Sequence, residues 1–127
     1  MKEHFRVTEE LLNQHPDWIF VFGDNTLRRG IGGAATLRYH PQTYGFITKR
    51  YPNNRDDAFY TITEYQEIFE QEYSKLLMHM AEHRDKTYVI SPIGSGLANR
   101  YQIWETIIKP GLERLKGLDR IIFTFEF

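Results

Sequence analysis

Two short apolar runs, each ending in a glycine-containing loop, constrain the fold of this chain most strongly. Residues 18–22 (WIFVF) lead directly into Gly23, and residues 87–91 (TYVIS) lead into Pro92 and then Gly94. Continuous apolar runs of this length are typical of strands that are buried on both faces of a sheet. Because ligands of such sheets gather beyond the carboxyl ends of the strands, we predict that both loops lie on one rim.

Helical spacing marks much of the chain between the strands. Apolar residues three and four apart predict a long helix over residues 64–83, with Thr63 and Gln66 as its capping box. A second helical stripe covers residues 104–115 and is expected to kink near Pro110. Shorter helices are predicted at residues 8–14, capped by Thr8, and 33–39, and further strands at residues 44–48, 58–62 and 120–127.

The alternation of strands and helices indicates an α/β layered domain over residues 1–127, in which the strands at 44–48 and 58–62 pair with each other. A chain of this length fits one domain with one core. The net charge of −1 and the pI of about 6.5 give no charge excess for wrapping nucleic acid or binding an anionic membrane.

Cysteine content and hydropathy exclude several further classes of site and of protein. The absence of cysteine excludes disulfides, thiolate catalysis and cysteine-based zinc sites. Residues 1–4 show no apolar core of a signal segment, and no apolar run approaches the ~20 residues of a transmembrane helix. A cytoplasmic location without membrane contact is therefore expected.

The first glycine-rich loop has the composition of an anion site. The predicted loop after the strand holds Asp24, Asn25, Arg28, Arg29 and the glycines of residues 30–33. Glycines let backbone N–H groups approach a ligand, and a helix that begins at Gly33 would present unpaired N–H groups and a positive dipole end. In the alternative interpretation the glycines only form turns and the arginines are only solvated.

The second loop, SPIGSGLANR at residues 91–100, places Gly94 and Gly96 on either side of Ser95. Two glycines separated by one residue can form a nest of N–H groups for a second set of phosphate oxygens. Neither loop matches the P-loop pattern or GxGxxG. The five histidines show no metal-ligand spacing, so we predict no metal and no cofactor.

Three segments together resemble macrodomains, in particular the branch with the terminal ADP-ribose protein glycohydrolase and small phage-encoded macro-like proteins. PIGSGLANR followed by IWETI resembles their P-x-I-G-x-G-L loop and next helix, RRGIGGAATLRY their glycine-rich loop, and FITKRY their ITK strand end. The resemblance covers residues 18–127. It implies a three-layer α/β/α fold with a mixed central sheet and a cleft for ADP-ribose.

The resemblance also implies roles for individual residues. Residues 30–35 would contact the distal ribose, residues 94–97 would wrap the diphosphate, and Lys49 would stand at the position of the nucleophilic lysine. The predicted ligand contacts are Gly23, Asp24, Asn25, Gly30, Ile31, Gly32, Gly33, Ala34, Lys49, Pro92, Ile93, Gly94, Ser95, Gly96, Leu97, Asn99 and Arg100.

Two features depart from the family pattern. Ala98 stands where that branch carries an acidic residue after IGxGL, and residues 1–17 contain no Gly-Asp pair to bind adenine.

Three functions therefore stay open from the sequence. The chain binds ADP-ribose or a related nucleotide diphosphate sugar, or it hydrolyses an ADP-ribosylated macromolecule or ADP-ribose 1″-phosphate, with Asp24 activating water or Lys49 attacking the sugar carbon. In the third, it is a protein-interaction module with a vestigial cleft, and the sequence leaves the oligomeric state undetermined.

Overall fold

The computed structural model describes residues 5–127, and the expectation about a signal segment at residues 1–4 lies outside that range. The helices are α1 (Glu9–Gln14), α2 (Ile62–Glu82) and α3 (Lys109–Leu112), and the strands are β1 (Trp18–Asn25), β2 (Thr43–Lys49), β3 (Thr87–Ile90) and β4 (Ile121–Phe123). Turns of 3₁₀ helix cover Gly33–Leu37, Asp56–Ala58 and Glu113–Leu115, and a π-helical turn covers Trp104–Ile108.

The four strands form one parallel sheet in the order β2-β1-β3-β4. The predicted α/β class is thus confirmed. The mixed sheet is wrong for the described strands, because a crossover segment separates each strand from the next and returns the chain in the same direction. The predicted pairing of residues 44–48 with 58–62 is also wrong, since β2 pairs with β1 and residues 56–58 form a 3₁₀ turn.

The long helix begins two residues before the predicted position. Thr61 has extended backbone geometry, which an N-cap requires, and its hydroxyl accepts from the Glu64 N–H while the Glu64 side chain accepts from the Thr61 N–H. The capping box is therefore Thr61 and Glu64, and Thr63 lies inside the helix. At the short helix α1 the predicted Thr8 cap is confirmed, because its hydroxyl accepts from the Leu11 N–H.

The carboxyl-terminal part is less regular than the sequence predicts. The helical stripe divides into a π-helical turn, α3 with Pro110 in its first turn, and a closing 3₁₀ turn. A proline has no N–H to donate to the preceding turn, which accounts for the change of helix type at this point. The final strand spans only Ile121–Phe123 rather than residues 120–127.

Apolar side chains cover both faces of the sheet. Alternate residues of β1 enter different clusters: Ile19 and Val21 pack with α2 and the residues around α3, whereas Phe20 and Phe22 pack with α1 and the 3₁₀ turn at Gly33–Leu37. This arrangement explains the continuous apolar run and leaves the carboxyl ends of the strands uncovered. Within the described residues, no helix combines the length and hydropathy needed to cross a bilayer.

Two side chains of α2 satisfy the backbone of the edge strand β2 at Ile47. The buried Glu72 carboxylate accepts from the Ile47 N–H at 2.7 Å, and the Tyr65 hydroxyl donates to the Ile47 carbonyl at 2.5 Å. Burial, followed by the Glu72 charge, raises the pKa of Tyr65 well above its usual range, so the hydroxyl keeps its proton. The backbone N–H and carbonyl of Ile47 are therefore both hydrogen-bonded, although no strand of residues 5–127 lies on that side of β2.

Replacing Glu72 with alanine is expected to lower the free energy of unfolding by about 2 kcal/mol, because the Ile47 N–H loses its buried acceptor. Glu72→Gln keeps a carbonyl oxygen at the same position and is expected to cost less than half as much. Urea denaturation of both variants measures the difference. Equal losses would show that the hydrogen bond to Ile47 does not contribute.

Candidate functional site

Both glycine-rich loops line one cavity of about 460 Å³ at the carboxyl ends of the strands, called here the strand-end cavity. Its lining includes most of the predicted residues: Gly23, Asp24, Asn25, Gly30, Ile31, Gly32, Gly33, Ala34, Lys49, Pro92, Ile93, Gly94, Ser95, Gly96 and Leu97. Seven further residues complete it: Arg29, Thr48, Pro52, Asn53, Asn54, Ser91 and Ala98. The structure thus brings the two loops to the same rim.

The loops carry backbone N–H groups that the protein itself does not use. The N–H groups of residues 30–34 have no hydrogen-bond acceptor among residues 5–127, and the same holds for Gly94 and for residues 96–98. The 3₁₀ turn that begins at Gly33 has only five residues, so its helix end adds little positive potential. An anion bound here would depend on the individual N–H groups rather than on a helix dipole.

Gly94 permits a close approach between the second loop and the core. Its φ of +76° lies in the left-handed region, and a Cβ atom there would stand 2.5 Å from Ile108 Cδ1 and 3.3 Å from Thr48 Cγ2. At Gly23 a Cβ atom would stand 3.4 Å from the Gly94 nitrogen. The end of β1 and the second loop therefore touch through their backbones.

The Asp24 carboxylate is buried, and both of its oxygens are saturated. Oδ1 accepts from the Asn25 N–H at 2.8 Å and from Arg38 Nη2 at 2.6 Å. Oδ2 accepts from Arg28 Nη1 and Arg38 Nη1, both at 3.2 Å. A carboxylate oxygen with two donors has no lone pair left to take a proton from water, so this geometry opposes the predicted water-activating role of Asp24.

Arg38 connects Asp24 to the first loop. Besides its paired bonds to Asp24, its guanidinium donates to the Gly30 carbonyl at 2.7 Å and to the Arg29 carbonyl at 3.1 Å. The Asn25 side chain also serves the loop, since its Nδ2 donates to the Arg29 carbonyl at 2.6 Å. These bonds order the loop without a ligand. Sequence reasoning missed Arg38, whose only signal was an arginine inside the short helix predicted at residues 33–39.

A third segment, the 52–54 loop, closes the cavity on the side of β2. Lys49 Nζ donates to the Asn53 carbonyl at 2.8 Å, and Arg100 Nη2 donates to the Asn54 carbonyl at 3.3 Å. A Cβ atom at Gly30 would lie 3.1 Å from Pro52 Cβ, so this loop contacts the first loop.

Comparison with families of known proteins gives a match over most of the chain. The Family of unknown function (DUF7831) matches residues 2–101. The chain belongs to this family. The DUF7831 match contains every lining residue of the strand-end cavity, whereas α3 and β4 lie beyond it. No curated protein and no solved structure shows a significant match to the chain.

Among the titratable residues that line the strand-end cavity of this DUF7831 protein, Lys49 has a perturbed pKa. Burial lowers the pKa of the Lys49 amine below its ordinary value, and the positive charge of Arg100 lowers it further. Arg50, the next residue along the chain, is engaged with Glu64 and with the Phe59 carbonyl at 3.0 Å.

The lowered pKa predicts that Lys49 reacts with a limiting amount of an amine-acylating reagent with a midpoint below pH 10.5, the ordinary lysine value. Peptide mapping of the labelled protein across a pH series measures this midpoint. Arg100→Gln is expected to move it upward, because one of the two causes is removed. A midpoint at the ordinary value, unchanged by Arg100→Gln, would contradict the assignment.

Asn99 and Arg100, both predicted ligand contacts, do not line the cavity. Asn99 Oδ1 accepts from the Trp104 N–H at 2.9 Å, and its Nδ2 donates to Glu105 at 2.7 Å, so it organises the start of the π-helical turn. Arg100 pairs with Asp56 at 2.7 Å and lies 4.0 Å from the Phe59 ring. Both residues shape the walls of the cavity from outside it.

The part of the chain that the structure describes contains no candidate metal site. No group of three or more His, Asp or Glu side chains is arranged there to hold an ion. The donors that line the cavity are amides and cations, which bind anions rather than metals.

Proposed function

We propose that the strand-end cavity binds ADP-ribose or a related nucleotide diphosphate sugar. The observation that carries the proposal is the convergence of two glycine-rich loops with unused N–H groups on one preordered cavity. Arg29 and Lys49 add positive charge to the lining, while Asp24 is neutralised by its two arginines. The three-layer macrodomain-like arrangement belongs to the same proposal and is supported by apolar clusters on both faces of the sheet.

Isothermal titration calorimetry with ADP-ribose tests the proposal. Arg29→Ala removes an exposed lining cation and is expected to weaken binding about tenfold, because one charge-assisted contact to phosphate is lost. Arg55→Ala removes a cation that is also exposed but lies outside the lining, and it is expected to leave binding unchanged. No heat from folded protein with ADP-ribose at about millimolar concentration would overturn the proposal.

Hydrolysis of an ADP-ribose adduct is a second candidate, favoured by the lowered pKa of the cavity-lining Lys49 amine. Among the described residues, however, no carboxylate other than the saturated Asp24 lines the cavity. Release of ADP-ribose from an ADP-ribosylated protein, compared between the wild type and Lys49→Arg, distinguishes hydrolysis from binding alone. Turnover by the wild type that Lys49→Arg abolishes would favour the hydrolase.

A further inference from the structure

The polar side chains that line the strand-end cavity are largely committed to the loops themselves. The hydroxyls of Thr48, Ser91 and Ser95 donate to backbone carbonyls at 3.3, 2.9 and 2.6 Å. Asp24 is saturated by its arginines and the Asn25 N–H, and Asn25 bonds to its own loop through both side-chain atoms. The protons of the three hydroxyls are thus directed to the loops' own carbonyls and not to a ligand.

The donors that remain for a ligand are suited to phosphate. The unused N–H groups of both loops, Arg29 and the remaining N–H bonds of Lys49 are all donors, and two of these groups are cationic. The side-chain amides of Asn53 and Asn54, on the exposed 52–54 loop, are the remaining polar groups of the lining, and Asn53 Oδ1 accepts from the Arg55 N–H at 3.0 Å. Such a set recognises oxygen anions and hydroxyls well.

Nucleobase readout needs different chemistry. Proteins select a base by stacking it on an aromatic ring and by pairing donors and acceptors with its edge. No aromatic residue lies in the described lining, and the exposed Tyr39 and Tyr101 are outside it. The apolar groups at the mouth are aliphatic, with Ile31 60% and Leu97 66% exposed. They can contact a base but carry no hydrogen-bonding group that would distinguish one base from another.

We infer that the strand-end cavity selects its ligand by the diphosphate and the sugar and does not discriminate between nucleobases. The inference rests on the proposed function and narrows it to a ligand class: nucleoside diphosphate sugars of any base.

Titration calorimetry with a matched ligand series tests the inference. The series is ADP-ribose and its analogues with hypoxanthine, etheno-adenine or uracil in place of adenine, which share the diphosphate and both riboses. Hypoxanthine replaces the adenine amino group, etheno-adenine blocks the hydrogen-bonding edge of adenine, and uracil has a smaller ring system. Each of these changes is expected to alter the Kd by less than about fivefold. The Arg29→Ala variant is expected to weaken all ligands of the series by a similar factor.

The possible outcomes distinguish failure of this inference from failure of the proposed function. If ADP-ribose binds and any analogue is weakened by more than about fivefold, the cavity reads the base and the inference is wrong. If Asn53→Ala or Asn54→Ala weakens binding of ADP-ribose but not of the uracil analogue, the replaced asparagine reads the adenine edge and the inference is likewise wrong. If no ligand of the series binds to the folded protein, the proposed function itself fails and the inference fails with it.

Discussion

Replacing Arg38 with alanine is expected to lower the free energy of unfolding by about 3 kcal/mol and to abolish binding of ADP-ribose. The Arg38 and Asp24 side chains are 7% and 2% exposed, so removal of the guanidinium leaves a buried carboxylate short of two hydrogen bonds. The Gly30 carbonyl loses its donor at the same time, and the Arg29 carbonyl keeps only the Asn25 side chain as a donor. Urea denaturation measures the stability, and calorimetry measures the binding.

Arg28→Ala is the matched control, because Arg28 bonds to the same carboxylate but its side chain is 50% exposed. A pair of this kind is screened by solvent, and its loss is expected to cost less than about 1 kcal/mol. Similar losses for the two variants would show that burial does not distinguish the two ion pairs. Retention of ligand binding by a folded Arg38→Ala protein would show that Arg38 does not order the first loop.

Replacing Gly94 with alanine is expected to cost about 3 kcal/mol of stability and to abolish ligand binding. An L-residue at φ +76° is strained, and the new methyl group would overlap Ile108 Cδ1 at 2.5 Å. Ile108 is fully buried, so it cannot turn away without displacing its neighbours. The second loop must therefore shift, and its N–H groups leave the cavity.

Two further variants separate the causes of the Gly94→Ala effect. Gly96→Ala adds a methyl group that meets no atom within 4 Å and is expected to change stability by less than about 0.5 kcal/mol. Ile108→Val removes the Cδ1 atom and is expected to be destabilising in the wild-type protein. In the Gly94→Ala background the same substitution is expected to cost less, because it also relieves the overlap. Strictly additive losses in the double variant would contradict the proposed overlap with Ile108.

Local patterns predicted the parts of the site that depend on one segment of chain. The apolar runs of β1 and β3 reflect burial on both faces, and that burial is visible in the residues themselves. The glycine clusters mark places where the backbone approaches other groups closely, as Gly94 does. The general position of ligand sites in α/β sheets then predicted that the two loops meet on one rim.

Pairings between distant segments were not predictable in this way. The partner of Asp24 is Arg38, fourteen residues away, and that of the Asn54 carbonyl is Arg100, forty-six residues away. The strand pairing of β2 was wrong for the same reason, since a short apolar segment is compatible with more than one neighbour. Such contacts depend on how the crossover segments return the chain.

The sequence by itself determined where β1, β2 and β3 run and where glycines free the backbone, because each of these is a property of neighbouring residues. Only the tertiary structure decided that Asp24 is saturated by arginines and that the 52–54 loop forms a wall. It also decided that Asn99 and Arg100 lie outside the lining. These outcomes depend on which side chains are brought together in space, and parallel packing of the sheet sets that geometry across dozens of residues.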